Sequence, residues 1–137
     1  MTTPVFVDTS ALYAIHDADD ARHRDAASDW ARLLDAVAEG DASARTHSGV
    51  TVETSALVQR RLGIEALRAL HNLTLPVLDV TWIDALTHDR AVGALLGAAR
   101  REVSLVDWTS FEVMRAQHIE HALAYDDDFA EQGFRPW

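Results

Sequence analysis

The stretch ALAYDDDF, residues 122–129, places three carboxylates, Asp126, Asp127 and Asp128, directly after a short apolar run. Like charges roughly 4 Å apart at an effective dielectric of about 20 repel by on the order of 4 kcal/mol. Such a cluster is either a solvated turn or a seat for a cation. Two more acids follow the same grammar: Asp8 comes after PVFV (4–7) and Asp107 after SLV (104–106). If each run is a strand and the three are neighbours, Asp8, Asp107 and Asp126 converge on the carboxyl edge of a sheet, where open α/β folds build their sites. Asp is also a good helix N-cap, and for any one of the three that reading stands first. For all three together it weakens, because Thr9, Ser10, Thr109 and Ser110 offer equal caps. Glu53 is the fourth candidate. On a helix starting at Ser48 it lies three residues after Val50 and four before Leu57, at the margin of an apolar stripe.

Hard oxygen ligands without cysteine or an organised histidine set suit Mg²⁺ or Mn²⁺. A ring of four acids can share one or two ions, some through water, and such sites activate water and clamp phosphodiester oxygens. There are no cysteines, which excludes disulfides, zinc–thiolate sites and thiol nucleophiles. His118 and His121 are three apart, but no HExxH or equivalent accompanies them, and His23 and His47 read as structural. The loops GxxxxGK[ST], GxGxxG and GxSxG are absent, so nucleotide-binding and serine-hydrolase chemistries lack their residues. All 12 basic residues are arginine, which removes lysine-dependent mechanisms. A net charge of −10 argues against passive coating of nucleic acid, whose affinity rests on phosphate contacts. It leaves room for an enzyme that meets nucleic acid through bound cations, and for a basic protein partner.

The elements that must position these acids alternate. PVFV reads as a strand buried on both faces, the parallel-sheet pattern. Thr9 and Ser10 are placed to cap a short helix, ALYAI. A long helix is expected over 20–39, with Ala26, Trp30, Leu33, Leu34 and Val37 at helical spacing and Gly40 as its stop. A short strand near Ala44–His47 precedes a helix capped by Ser48 and ended by Gly63, and residues 64–73 form a further short helix. PVLDV (76–80) reads as a strand, Thr81 with Asp84 as a capping box for a helix over 82–98, and SLV as a short strand. Asp107 then opens a helix with Phe111, Met114 and His118 on one face. ALAY (122–125) is a last inner strand and FRPW (134–137) an edge strand that tolerates Pro136. Strands alternating with amphipathic helices predict an α/β fold, a mostly parallel sheet with helices on both faces. At 137 residues the chain suits one domain, 1–137, with a proper core. No basic leader and no run approaching the ~20 apolar residues of a membrane span occur, so a cytoplasmic protein is expected.

Several short motifs recur in a fixed order. VFVDTSAL carries D-[TS]-[SN] after the first strand, and DDARHRDAA carries D-x-x-H ahead of a long helix. THSGVTVETSALVQRRLG puts a Glu in a helix with a Thr/Ser-rich start. SLVDWTSF and ALAYDDDFAEQGF supply the remaining acids. Over nearly the whole chain these resemble the PIN-domain ribonucleases and, within them, the VapC-type toxins of bacterial toxin–antitoxin pairs. The resemblance implies a three-layer α/β/α PIN-like fold and an Mg²⁺-dependent endoribonuclease, with Mn²⁺ able to substitute. RNA phosphodiesters would be hydrolysed to 5′-phosphate and 3′-hydroxyl ends by in-line attack of a metal-activated water. By position, Asp8, Glu53, Asp107 and Asp126 would be the metal-binding and catalytic acids. Asp128 would assist, Thr9 and Ser110 would support, and Asp127 matches a variable position. Arg60, Arg61, Arg100 and Arg101 are candidates to guide RNA, with a solvated face the first reading for each. Trp108 departs from the pattern, since smaller residues are frequent there; it either shapes the site mouth or packs. The resemblance further implies a homodimer and a cognate antitoxin covering the acidic site. Two rivals stand beside it. A phosphoacceptor receiver domain needs a lysine that this chain lacks. A catalytically inactive PIN-like binding or structural module would not need all four acids.

Overall fold

The computed structural model describes Met1–Trp137. Five strands form one sheet: β1 (Thr3–Val7), β2 (Ala42–His47), β3 (Asp79–Thr81), β4 (His121–Leu123) and β5 (Arg135–Pro136). Every pairing is parallel, in the order β3-β2-β1-β4-β5. Parallel neighbours need crossovers, and helices supply them. α1 (Thr9–His16) and α2 (His23–Ala38) lead to β2; α3 (Ser48–Leu62) and α4 (Ile64–Ala69) lead towards β3. α5 (Ala85–Ala98) and α6 (Leu105–Ala116) lead to β4, and α7 (Asp128–Glu131) leads to β5. β1 is central, and its Val5, Phe6 and Val7 are wholly buried, as an apolar strand covered on both faces must be. The result is the expected α/β/α sandwich. No helix is long and apolar enough to cross a membrane.

The chain first builds outward from β1 to β2 and β3, then returns to lay β4 on the other side of β1. The order therefore reverses between β1 and β4, and a doubly wound sheet opens its crevice at that reversal, beyond the carboxyl ends of the strands. Phe6 and Phe129 (6.0 Å between ring centroids) and Phe111 and Phe129 (5.1 Å) form an aromatic core that joins the sheet to α6 and α7. Gly40 (φ +79°) and Gly63 (φ +92°) close α2 and α3 in the left-handed region, as their positions predict.

Several local expectations are corrected. SLV is not a strand: Ser104 is the N-cap of α6, and its Oγ accepts from the Asp107 N–H (3.2 Å) while Asp107 Oδ2 accepts from the Ser104 N–H (3.0 Å). Ser-Leu-Val-Asp thus works as a capping box, a stronger local signal than two apolar residues in a row. Asp107 consequently sits in the first turn of a helix, not at a strand end. PVLDV contributes only its last residues to β3, because Leu75–Val77 form a 3₁₀ turn around Pro76, which cannot donate to a ladder. ALAY leaves the sheet after Leu123, so Asp126 stands on the following loop. Residues 64–73 divide into α4 and a π-helical turn, Leu70–Thr74. The caps also differ. Asp8, not Thr9 or Ser10, caps α1; His47, not Ser48, caps α3; and Asp84 alone caps α5. His118 lies beyond α6, at φ +56°.

Candidate active site

Asp8 follows β1 immediately. Its N–H donates to the Leu123 carbonyl (3.1 Å), which carries the β1–β4 pairing one step further and fixes the residue at the point where the strand order reverses. Its Oδ2 accepts from the Ser10 N–H (3.2 Å) and the Ser10 hydroxyl (2.9 Å). Ser10 Oγ in turn accepts from the Tyr125 N–H (3.1 Å), so one hydroxyl holds both Asp8 and the backbone beside Asp126. Asp107 is held in the same manner: Oδ2 accepts from the Ser104 N–H and from its hydroxyl (3.1 Å). In each of these two acids the hydrogen bonds fall on one carboxylate oxygen.

Asp8, Asp107 and Asp126 each bring an oxygen within 4.8 Å of the others. None of them takes part in an ion pair; the four ion pairs of the chain lie elsewhere. Asp8 is only 3% exposed. Burial first, then the charges of Asp126 and Asp107, push its carboxyl from the usual 3.8 up to about 7. Asp126 is exposed as a residue, but its carboxyl turns into the acidic group. Lost hydration, then Asp107 and Asp128, raise it to about 6. Three unpaired carboxylates at such distances are unfavourable unless a cation joins them. The donor set, all carboxylate oxygen, fits a hard divalent ion. The sequence expectation that these three acids converge holds, although only β1 delivers its acid at the end of a strand.

Glu53 stays outside the group of three. It is half-buried in the second turn of α3 and lines a cavity of about 460 Å³ with Leu105, Val106 and Thr109, beside the turn that carries Asp107. Asp128 is half-buried at the start of α7, and lost hydration followed by the charge of Asp107 raises its carboxyl. Thr9 makes no side-chain hydrogen bond to the acids; its Oγ1 accepts from the buried Thr54 hydroxyl (3.3 Å), tying α1 to α3. Ser110 lies in a buried chain. The Gly49 N–H donates to His47 Nδ1 (3.0 Å), which leaves the proton on Nε2 to be donated to Ser110 Oγ (2.8 Å). Ser110 then donates to the Val106 carbonyl (2.9 Å), next to Asp107. Burial holds His47 down near 4, so it stays neutral and structural, as expected. Asp127 is exposed. Trp108 packs, buried edge-on against Phe111 (5.4 Å), and does not shape the mouth of the site. Sequence reasoning missed Ser10 and Ser104 as the residues that orient the acids. The signal was present in D-T-S after the first strand and in S-x-x-D before α6.

Comparison with protein families matches the PIN domain over residues 5–135. Among curated proteins, the chain is 38% identical over 131 residues, 95% of each chain, to the 23S rRNA-specific endonuclease VapC20 of Mycobacterium tuberculosis, in both strains CDC 1551 / Oshkosh and ATCC 25618 / H37Rv. Among solved structures, the crystal structure of M. tuberculosis VapC20, described as a Sarcin-Ricin loop cleaving toxin, superposes with a TM-score of 0.83 at 35% identity. That match covers 97% of this chain and 98% of the other. With matched length, matched fold and an acidic group at the reversal of its sheet, this chain belongs to the PIN-domain family.

Proposed function

We propose that the chain is a metal-dependent endoribonuclease of the VapC type, the toxin of a toxin–antitoxin pair. The observation that carries this reading is the set of three unpaired carboxylates gathered where the strand order reverses. Asp8, Asp107 and Asp126 would hold the divalent ion, Mg²⁺ with Mn²⁺ as a substitute, and Glu53 would reach it through water. Bound there, such an ion supplies activation of water and neutralisation of charge building on phosphate. The chain's own residues do the positioning. Ser10 and Ser104 aim two of the acids, the β1–β4 pairing fixes Asp8, and the His47–Ser110 chain seats α6 beneath Asp107. Hydrolysis at this site breaks the P–O3′ bond. The water oxygen stays on phosphorus as a 5′-phosphate, and the departing 3′-oxygen takes a proton to become a hydroxyl.

The relative's 23S rRNA specificity and near-equal length support ribosomal RNA as the substrate, and hence a cytoplasmic place of action. A cognate antitoxin covering the acidic site and a homodimer belong to the same reading. The test is cleavage of purified 23S rRNA by antitoxin-free protein in Mg²⁺, Mn²⁺ or EDTA, with Asp107→Asn alongside and fragment ends mapped. Metal-dependent cuts bearing 5′-phosphates, lost in the variant, are expected. Cutting by Asp107→Asn at the wild-type rate would remove Asp107 from the site.

A further inference from the structure

Beside the acidic group runs a cleft of about 330 Å³ whose lining includes Thr9, Ser10, Asp126, Arg22 and Arg61. Asp126 belongs to both, so the cleft borders the proposed metal site. Its two arginines come from separate elements: Arg22 immediately precedes α2 and Arg61 lies in the last turn of α3. Each guanidinium rests over a tyrosine ring, Arg22 over Tyr125 (5.7 Å to the centroid) and Arg61 over Tyr13 (5.3 Å). The rings are themselves anchored. Tyr13 donates to Asp17 Oδ2 (2.6 Å) and Tyr125 donates to Asp29 Oδ2 (2.8 Å). The turn before α2 is pinned as well: Asp20 accepts from the Arg22 N–H (2.8 Å), and His23 Nδ1 donates to the Ala14 carbonyl (2.7 Å).

Neither arginine is in an ion pair, although the chain carries 22 acids against 12 basic residues. Both are exposed. A guanidinium resting against an aromatic ring is held in place while its exposed edge still presents N–H donors to solvent, and that fork matches the oxygens of a phosphate. Asp20 also lines the cleft, but one of its oxygens is already engaged by the backbone of Arg22.

We propose that Arg22 and Arg61 form a clamp for the RNA phosphate adjacent to the scissile one, setting the register of the strand across the acids. This rests on the endoribonuclease reading. RNA, and not an acidic protein segment, is the favoured occupant because the cleft is continuous with the place where the scissile phosphate must sit. A strand lying there would meet the arginines and the acids through neighbouring phosphates. An RNA approaching a chain of net charge −10 also needs fixed cations where it docks.

The test uses full-length, antitoxin-free protein and RNA carrying the sarcin–ricin loop of 23S rRNA. Arg22→Gln, Arg61→Gln and the double variant are compared with Arg22→Lys and Arg61→Lys, each checked for fold by thermal melting. Cleavage is followed as KM and kcat, and binding is measured across salt concentrations in an Asp107→Asn background. The expected result is a rise in KM on the order of tenfold per Gln substitution, with partial recovery by Lys. The slope of log K against log salt should shallow by about 0.7 for each phosphate that is no longer neutralised. Metal-dependent cleavage with unchanged KM and unchanged salt slope in the double variant would overturn the clamp and leave the nuclease intact. Loss of antitoxin binding with RNA parameters unchanged would overturn it in favour of a protein partner. Wild-type protein that neither binds nor cuts this RNA would remove both the clamp and the reading it rests on.

Discussion

Replacing Asp8 by Asn should make the metal-free protein more stable while abolishing its activity. The Asn side-chain oxygen still accepts from the Ser10 N–H and hydroxyl, so the cap of α1 survives. What disappears is a buried, unpaired negative charge. The wild-type carboxyl moves from 3.8 in the unfolded chain to about 7 in the fold. At 1.36 kcal/mol per pH unit that corresponds to about 4 kcal/mol of destabilisation once the group is ionised, an upper bound that relaxation and water entry reduce to about 2–4 kcal/mol. The sign follows from the raised value. The group binds its proton more tightly in the folded state, so its full contribution is present below about pH 4 and is lost as pH rises through about 7. Urea denaturation in EDTA at pH 4.5 and pH 8 reads this directly. Asp8→Asn should exceed wild type by a few kcal/mol at pH 8, with most of the difference gone at pH 4.5. Adding Mn²⁺ at pH 8 should then stabilise wild type and not the variant. A variant less stable than wild type at pH 8, or a difference independent of pH, would refute the claim that Asp8 is an unpaired buried acid.

The same raised carboxyls predict that Mn²⁺ competes with protons: binding followed by calorimetry should strengthen as pH rises from 5 to 8, through the values near 6 and 7 of Asp126 and Asp8, with proton uptake by buffer at the lower end. Ser10→Ala removes the hydroxyl that joins Asp8 to the Tyr125 backbone, so Mn²⁺ affinity and cleavage should both fall, by about tenfold or more, with only about 1 kcal/mol lost in chemical denaturation. Gly49→Ala places a Cβ 2.8 Å from His47 Cε1, so the imidazole that caps α3 must shift; thermal and urea unfolding should show a loss of about 1–3 kcal/mol.

The acids were legible because each stands next to a signal that survives without tertiary information. Asp8 follows a strand whose Val5, Phe6 and Val7 are unmistakably apolar, and Asp126 follows the short run that the sheet buries on the other side of that strand. Asp107 joins the acidic group for a different reason from the one its preceding run suggests. Leu105 and Val106 before it pass for a strand remnant, and the decisive fact, a reciprocal pair of hydrogen bonds between Ser104 and Asp107, belongs to helix nucleation. Glu53 marks a different limit. Helical spacing puts it near the core stripe, but whether its carboxylate meets the other three depends on how α3 is seated against α6, which periodicity does not encode. Arg22 escaped notice for a similar reason. It stands in the charged stretch DDARHRD with no apolar pattern to mark it, and its partner ring, Tyr125, lies more than a hundred residues away. The caps at His47 and Asp84 show tertiary packing and local alternatives overriding the most obvious Ser and Thr positions.

The two serines that aim Asp8 and Asp107 also decide how those acids can bind an ion. A carboxylate oxygen has about two lone-pair sites, and in both residues the two hydrogen bonds from serine fall on Oδ2. Each acid is left with Oδ1 alone, so each is a one-toothed ligand. Calcium draws on bidentate carboxylates and a large, pliable shell of six to eight oxygens, whereas magnesium accepts single oxygens and keeps much of its own water. At the proposed site, discrimination among divalent ions would thus rest in part on two serines that do not themselves offer an oxygen to the ion.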